Sequence, residues 1–247
     1  MKHGVVWFVL VHGGSSTSRF WDRLVPHLDA LALAVDLPGR GAKRVDMMTL
    51  TVDDCVASVV QDVRAAGPDE TVVVAHSSGG LVVPSLVDAL DGTVRHIVLN
   101  AASVPPEGGC GLDCMKPRHR EGTVALVEAA RREGKVVTTP LPADPERLRT
   151  SYGEDLDDDT LQYMADPIRT VSDSFNLYYQ PIYWSTIGDT PVTYVRNLRD
   201  RPIPLELQDE MLGRLRNPVV LDLDAGHIPA VTHPAEFAAV CNATLTA

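Results

Sequence analysis

Short apolar runs rich in β-branched residues alternate with longer segments of helical spacing, and that rhythm leaves few folds open. Residues 5–11, 32–36, 71–75, 94–100, 191–195 and 219–223 read as strands. The first, VVWFVLV, has no polar alternation, so both of its faces are expected to be covered. Helical patterns fill 20–31, 51–66, 77–90, 204–215 and 234–245. In the second of these, Val52, Val56, Val59, Val60 and Val63 share one stripe, and Thr51 with Asp53 and Asp54 forms a helix-start signal. Repeated strand–helix–strand units require crossovers that return over a face of the sheet, which they do right-handed. The expectation is an α/β fold: a six-stranded, mostly parallel sheet with helices on both faces.

The rhythm fails between 103 and 188. Pro105-Pro106, Gly108-Gly109, a charged helical patch at 123–133 and four carboxylates within 155–159 occur there. This reads as an insertion: residues 1–102 and 189–247 form the core, and 103–188 a cap. Seven of the thirteen aromatic residues lie in the cap (Tyr152, Tyr163, Phe175, Tyr178, Tyr179, Tyr183 and Trp184), an excess that suits the cover of an apolar pocket. They would equally serve as the insertion's own small core.

Charge narrows the partners. Acidic residues outnumber basic ones by 33 to 22, giving a net charge of −11. Such a surface repels phosphate backbones and anionic lipid heads, so neither nucleic acid nor membrane is the expected partner. The apolar run at 5–11 is short and ends in His12-Gly13-Gly14, a poor secretory signal, which points to the cytoplasm. Of four cysteines, only Cys110 and Cys114 are close. With His119 as the one further candidate ligand, no metal is expected.

The chemistry concentrates at Val72-Val73-Val74-Ala75-His76-Ser77-Ser78-Gly79-Gly80. A buried strand runs into Ser77 and on into a helix, the nucleophile elbow G-x-S-x-G with Ala75 replacing the first glycine. A sharp turn strains the serine backbone, so the residues two away must be tiny, and Ala75 and Gly79 are. The turn lifts the Ser77 hydroxyl above the strand's carboxyl end, where open α/β sheets bind ligands. It also frees the Ser78 N–H at a helix start, facing developing negative charge.

A serine hydroxyl needs a base. His227, in Asp224-Ala225-Gly226-His227-Ile228-Pro229, follows the last strand and is the best candidate; His76 adjoins the serine but points elsewhere. The base needs an acid. Asp200 follows the fifth strand, and the order Ser77, Asp200, His227 fits this architecture. The competing reading pairs Asp200 with Arg199 or Arg201; Asp222 and Asp224 are rivals on the histidine's own strand end. His12-Gly13-Gly14 follows the first strand, where the Gly14 N–H would complete an oxyanion hole with Ser78.

With FVLVHGG, DLPGRG, VVVAHSSGG, RDRPIPLELQDEM and DAGHIPAVTHPAEF in place, the chain resembles the α/β-hydrolase superfamily over nearly its full length. Within it, the sequence is similar to the small branch of plant methylesterases, hydroxynitrile lyases and bacterial esterase-like proteins. The resemblance implies an α/β-hydrolase fold whose first strand leads directly into the His-Gly loop. Ser77 argues against the epoxide hydrolases and haloalkane dehalogenases, which carry Asp at the elbow. Gly13 and Ile228 stand where hydroxynitrile lyases usually have Thr and Lys, so no cation waits for departing cyanide.

The expected function is a serine hydrolase cleaving a carboxylic ester or lactone of a small, apolar or aromatic metabolite, with no cofactor. Tyr178, Trp184 and Ile228 are the expected substrate-binding residues. Arg118-His119-Arg120 offers cations to a substrate carboxylate, or is simply a solvated loop. The alternatives are non-hydrolytic or C–C bond chemistry on the same scaffold, and a ligand receptor.

Overall fold

In a computed structural model of the chain, residues 5–135, 137, 145–153 and 156–246 are described. Asp155, one of the carboxylates of 155–159, lies outside them. Six strands, β1 (Val6–Val11), β2 (Leu31–Val35), β3 (Glu70–His76), β4 (Val94–Asn100), β5 (Val192–Asn197) and β6 (Val219–Leu223), form one sheet. Its order is β2-β1-β3-β4-β5-β6, and every neighbouring pair is parallel. The chain steps outward from β1 to β2, crosses back to β3, and then proceeds to β6. The direction reverses between β1 and β3, the place where open α/β sheets bind ligands.

The central strands are buried on both faces because helices cover both. Side chains alternate across the pleat. Val9, Val11, Val73, Ala75, Ile97 and Leu99 face one core with α1 (Val52–Ala66) and α2 (Val83–Ala89). Phe8, Leu10, Val72, Val74 and Val98 face the other, with Phe20, Trp21 and Leu24. The segment between β4 and β5 carries α3 (Pro117–Arg132), α4 (Pro145–Tyr152) and α5 (Asp158–Ala165). Leu148 of α4 and Leu161 and Met164 of α5 join the second core. After β5 come α6 (Leu205–Leu212), β6, a single turn α7 (Pro229–Thr232) and α8 (Pro234–Ala243). Among the described residues, no helix is long and apolar enough to cross a membrane.

Helix α1 starts as its sequence requires. The Thr51 hydroxyl accepts from the Asp54 N–H while the Asp54 carboxylate accepts from the Thr51 N–H. Two other helical expectations need correction. Residues 20–31 form no α-helix, only 3₁₀ turns at Ser18–Trp21 and Val25–His27, and Leu31 already opens β2. Pro26 has no N–H to continue the ladder. Residues 77–90 likewise split into a 3₁₀ turn, Ser77–Leu81, and α2, because Pro84 cannot donate to the Gly80 carbonyl.

The elbow itself is strained as its residue types imply. Ser77 has φ +52°, in the left-handed region. Gly79 makes this possible: a Cβ there would lie 2.7 Å from the His12 carbonyl oxygen and 2.9 Å from that of Val11. Only a bare glycine lets the turn settle against the end of β1. Gly79→Ala is therefore expected to destabilise the protein by about 1–3 kcal/mol. A denaturant midpoint equal to that of the parent protein would contradict this.

Candidate active site

Three loops at the carboxyl rim of the sheet converge. Ser77 directly follows β3, Asp200 lies three residues beyond β5, and His227 follows β6. The His227 Nδ1 atom lies 2.7 Å from Asp200 Oδ2, and its Nε2 lies 3.2 Å from Ser77 Oγ. The Asp200 side chain is wholly buried, and its second oxygen accepts from the Ile203 N–H at 2.8 Å. With a carboxylate on Nδ1, the imidazole proton sits there, and Nε2 is left to accept from the serine hydroxyl. Asp200 forms no ion pair with its neighbouring arginines: Arg199 pairs with Asp224 and Arg196 with Asp222. Both rival carboxylates are thus engaged on the surface.

A buried polar frame holds the imidazole from behind. The His227 carbonyl accepts from His76 Nε2 at 2.8 Å and from Asn197 Nδ2 at 3.4 Å. The Asn197 side-chain oxygen accepts in turn from Asn100 Nδ2 at 2.8 Å, linking the ends of β4 and β5. His76 stacks on Phe20 with ring centroids 4.9 Å apart, and Tyr152 stacks on His227 at 5.7 Å. Burial, reinforced by the nearby His227, holds His76 well below the usual imidazole pKa. It is a neutral donor to the His227 carbonyl.

The His-Gly loop is held just as firmly. The Leu37 N–H reaches His12 Nε2 at 3.4 Å, and Nδ1 lies 2.8 Å from the Gly13 carbonyl. Burial and the Arg40 charge lower His12 to about 3. Arg40 is itself buried and pairs with Asp173 at 2.7 Å, while its Nε–H donates to the Ser16 carbonyl. The Ser15 N–H donates to Asp173, and the Val171 N–H to the Ser15 carbonyl. The pair therefore ties the loop after β1 to the segment that precedes β5. Sequence reasoning missed it: Arg40 was visible only as part of a turn, and nothing marked Asp173 as its partner.

Gly14, Ser77, His227, Ile228 and Tyr178 line one cavity of about 590 Å³. Ser77, Ser78 and Tyr178 line a second of about 660 Å³. Both volumes suit a small molecule. A Cβ on Gly14 would lie 3.0 Å from Tyr178 Oη and 3.1 Å from Ser78 Oγ, so the two hydroxyls crowd over that glycine. Burial, then Asp173, pushes the Tyr178 phenol up to about 12, which keeps it a donor. Tyr178 and Ile228 both line the cavity that holds Ser77. Trp184 does not: it opens a 3₁₀ turn (Trp184–Ile187), is buried in the core with α2, and borders a separate cavity with Asp189 and Arg214. Its ring is spent on packing in the core beside α2. Phe20, Tyr152 and Met164 line the first cavity instead; helical spacing at 20–31 and an aromatic count in the cap did not reveal which faces would meet.

The alpha/beta hydrolase family model matches residues 8–240, and the chain belongs to that family. It is similar to Lipase LipV of Mycobacterium tuberculosis (strain ATCC 25618 / H37Rv), 27% identical and covering 95% of this chain and 91% of that protein. Among solved structures, an extracellular alpha/beta-hydrolase from a Paenibacillus species aligns with a TM-score of 0.79 at 18% identity, over 97% of this chain and 98% of the other. Methylesterase MES16 from Arabidopsis aligns with a TM-score of 0.74 at 18% identity, over 98% and 99%.

The two neutral histidines have a consequence for stability. On unfolding, each gains the ordinary affinity for a proton, so the unfolded chain binds more protons than the folded one below about pH 6.5. For His12, stability falls as pH drops from 6.5 towards about 3, by about 1.4 kcal/mol per pH unit at most. Histidine-labelled NMR should show neutral rings at His12 and His76 at pH 5 in the folded protein. A protonated His12 ring at that pH would contradict the account.

Proposed function

We propose that the protein is a serine hydrolase that cleaves a carboxylic ester or lactone of a small, apolar or aromatic metabolite through an acyl-enzyme. The observation that carries this is the continuous relay from Asp200 through His227 to Ser77, at 2.7 and 3.2 Å. Ser77 Oγ attacks the carbonyl carbon as His227 Nε2 takes the hydroxyl proton. The Asp200 carboxylate holds the ring and stabilises the imidazolium. The backbone N–H groups of Gly14 and Ser78 receive the oxyanion, each worth about 3 kcal/mol of barrier. The imidazolium returns its proton to the departing alkoxide, leaving an acyl group on Ser77. A water molecule then gives a proton to His227 and attacks the acyl carbon, and the imidazolium returns that proton to Ser77 Oγ as the acid leaves.

Other observations support the reading. Ile228, buried beside the base, offers no charge to a leaving group. Phe20, Tyr152 and Met164 give the cavity an apolar wall for an acyl or alcohol arm. Relatives named as a lipase and a methylesterase share the fold.

Ser77→Ala is expected to lower turnover of short p-nitrophenyl esters on the order of 10⁶-fold without loss of fold. Asp200→Asn is expected to cost roughly 10⁴-fold, because the wrong imidazole tautomer is then favoured. An ester-directed phosphonate should add one mass equivalent to the parent protein and none to Ser77→Ala. Unaltered turnover in Ser77→Ala removes the mechanism.

A further inference from the structure

The wall that both cavities share beside Ser77 is basic, in a chain of net charge −11. Lys116 and His119 line both cavities; Arg201 lines the first and Arg118 the second. They come from two separate segments, the start of α3 and the loop just after Asp200. Among the described residues, none of the four has a carboxylate within ion-pair distance, whereas Arg120, next along, pairs with Asp113 at 3.0 Å. The Lys116 ammonium is fixed in place, donating to the Arg201 carbonyl at 2.7 Å, and two of its three donors stay free. The first turn of α3 contains no acidic residue. Its cations therefore sit against the positive end of the helix, an arrangement that an anion in the cavity would relieve.

We propose that the substrate is an anionic ester, one that carries a second, ionised acid group, and that Lys116, Arg118, His119 and Arg201 select it. The apolar wall of Phe20, Tyr152 and Met164 then takes the uncharged arm, while the acid group lies against the basic wall. Arg201 follows Asp200 directly, so recognition of the charge and orientation of the base come from one loop. This rests on the serine hydrolase reading and names its substrate class.

The test compares two esters of equal acyl chain length: p-nitrophenyl pentanoate, which is neutral, and mono-p-nitrophenyl glutarate, which is anionic. The parent protein is expected to favour the glutarate at least about tenfold in kcat/KM, chiefly through KM, and about 0.5 M NaCl should compress the preference. Arg118→Gln with Arg201→Gln, both exposed side chains, leaves the Lys116 backbone bond in place and should lower the preference by up to about fivefold per charge removed, the upper end for exposed pairs. Lys116→Gln serves as the second variant. Arg64→Gln, on the exposed side of α1, should leave the preference as it is. A parent ratio of one or below, or a ratio untouched by the Arg118 and Arg201 changes, overturns the proposal. If neither ester is cleaved, the hydrolase reading fails on its own. Glutarate binding by calorimetry then decides the anion site: binding that the double variant abolishes supports it, and no binding overturns it.

Discussion

The left-handed backbone of Ser77 is the constraint on which the site depends. An L-residue there costs about 1–2 kcal/mol, so the surroundings must hold it. They do so from three sides. Gly79 settles against the carbonyls at the end of β1, the Ser103 N–H donates to the Ser77 carbonyl at 2.8 Å, and Val74 and Ala75 are locked in the middle of the sheet. The strain is thus borne by β1, β3 and β4 together. The same three strands deliver the His-Gly loop, the elbow and Asn100 to one rim. A sheet in which these strands were not neighbours could not bring those parts together.

Behind the rim, buried polar groups are organised so that one imidazole faces Ser77 Oγ. His12, His76 and His227 are all buried. His12 spends both ring nitrogens on backbone groups, and His76 holds the His227 carbonyl. Desolvation without a carboxylate keeps those two neutral. Only His227 has Asp200 on one nitrogen and a hydroxyl on the other. Three histidines of similar burial therefore take different tasks because of what each ring nitrogen meets.

That distinction also explains what the sequence made legible. Strand β3 and the elbow could be read because close packing leaves few residue types possible there: a run of valines, then tiny residues at 75 and 79. Ser77, Asp200 and His227 could be read because each lies within four residues of the carboxyl end of a strand, so chain position alone places it near the rim. Trp184 and the segment 20–31 could not. Their places depend on which face of an irregular turn meets which partner, and no periodicity encodes that. The Arg40–Asp173 pair joins residues 133 positions apart through a segment with no regular pattern. Each residue alone looks like an ordinary surface charge.

The net charge and the basic cavity wall are compatible because they act over different distances. An overall charge of −11 acts on large polyanions, which must approach across the whole surface. At physiological salt the field of a distant carboxylate is screened within about 8 Å. A small anion inside the cavity therefore responds to Lys116, Arg118, His119 and Arg201, with little contribution from acids elsewhere on the chain. The low-dielectric walls of Phe20, Tyr152 and Met164 strengthen that local response, since screening ions have less room there. On the proposed reading, an acidic chain can in this way still admit a small acid-bearing ester to the serine.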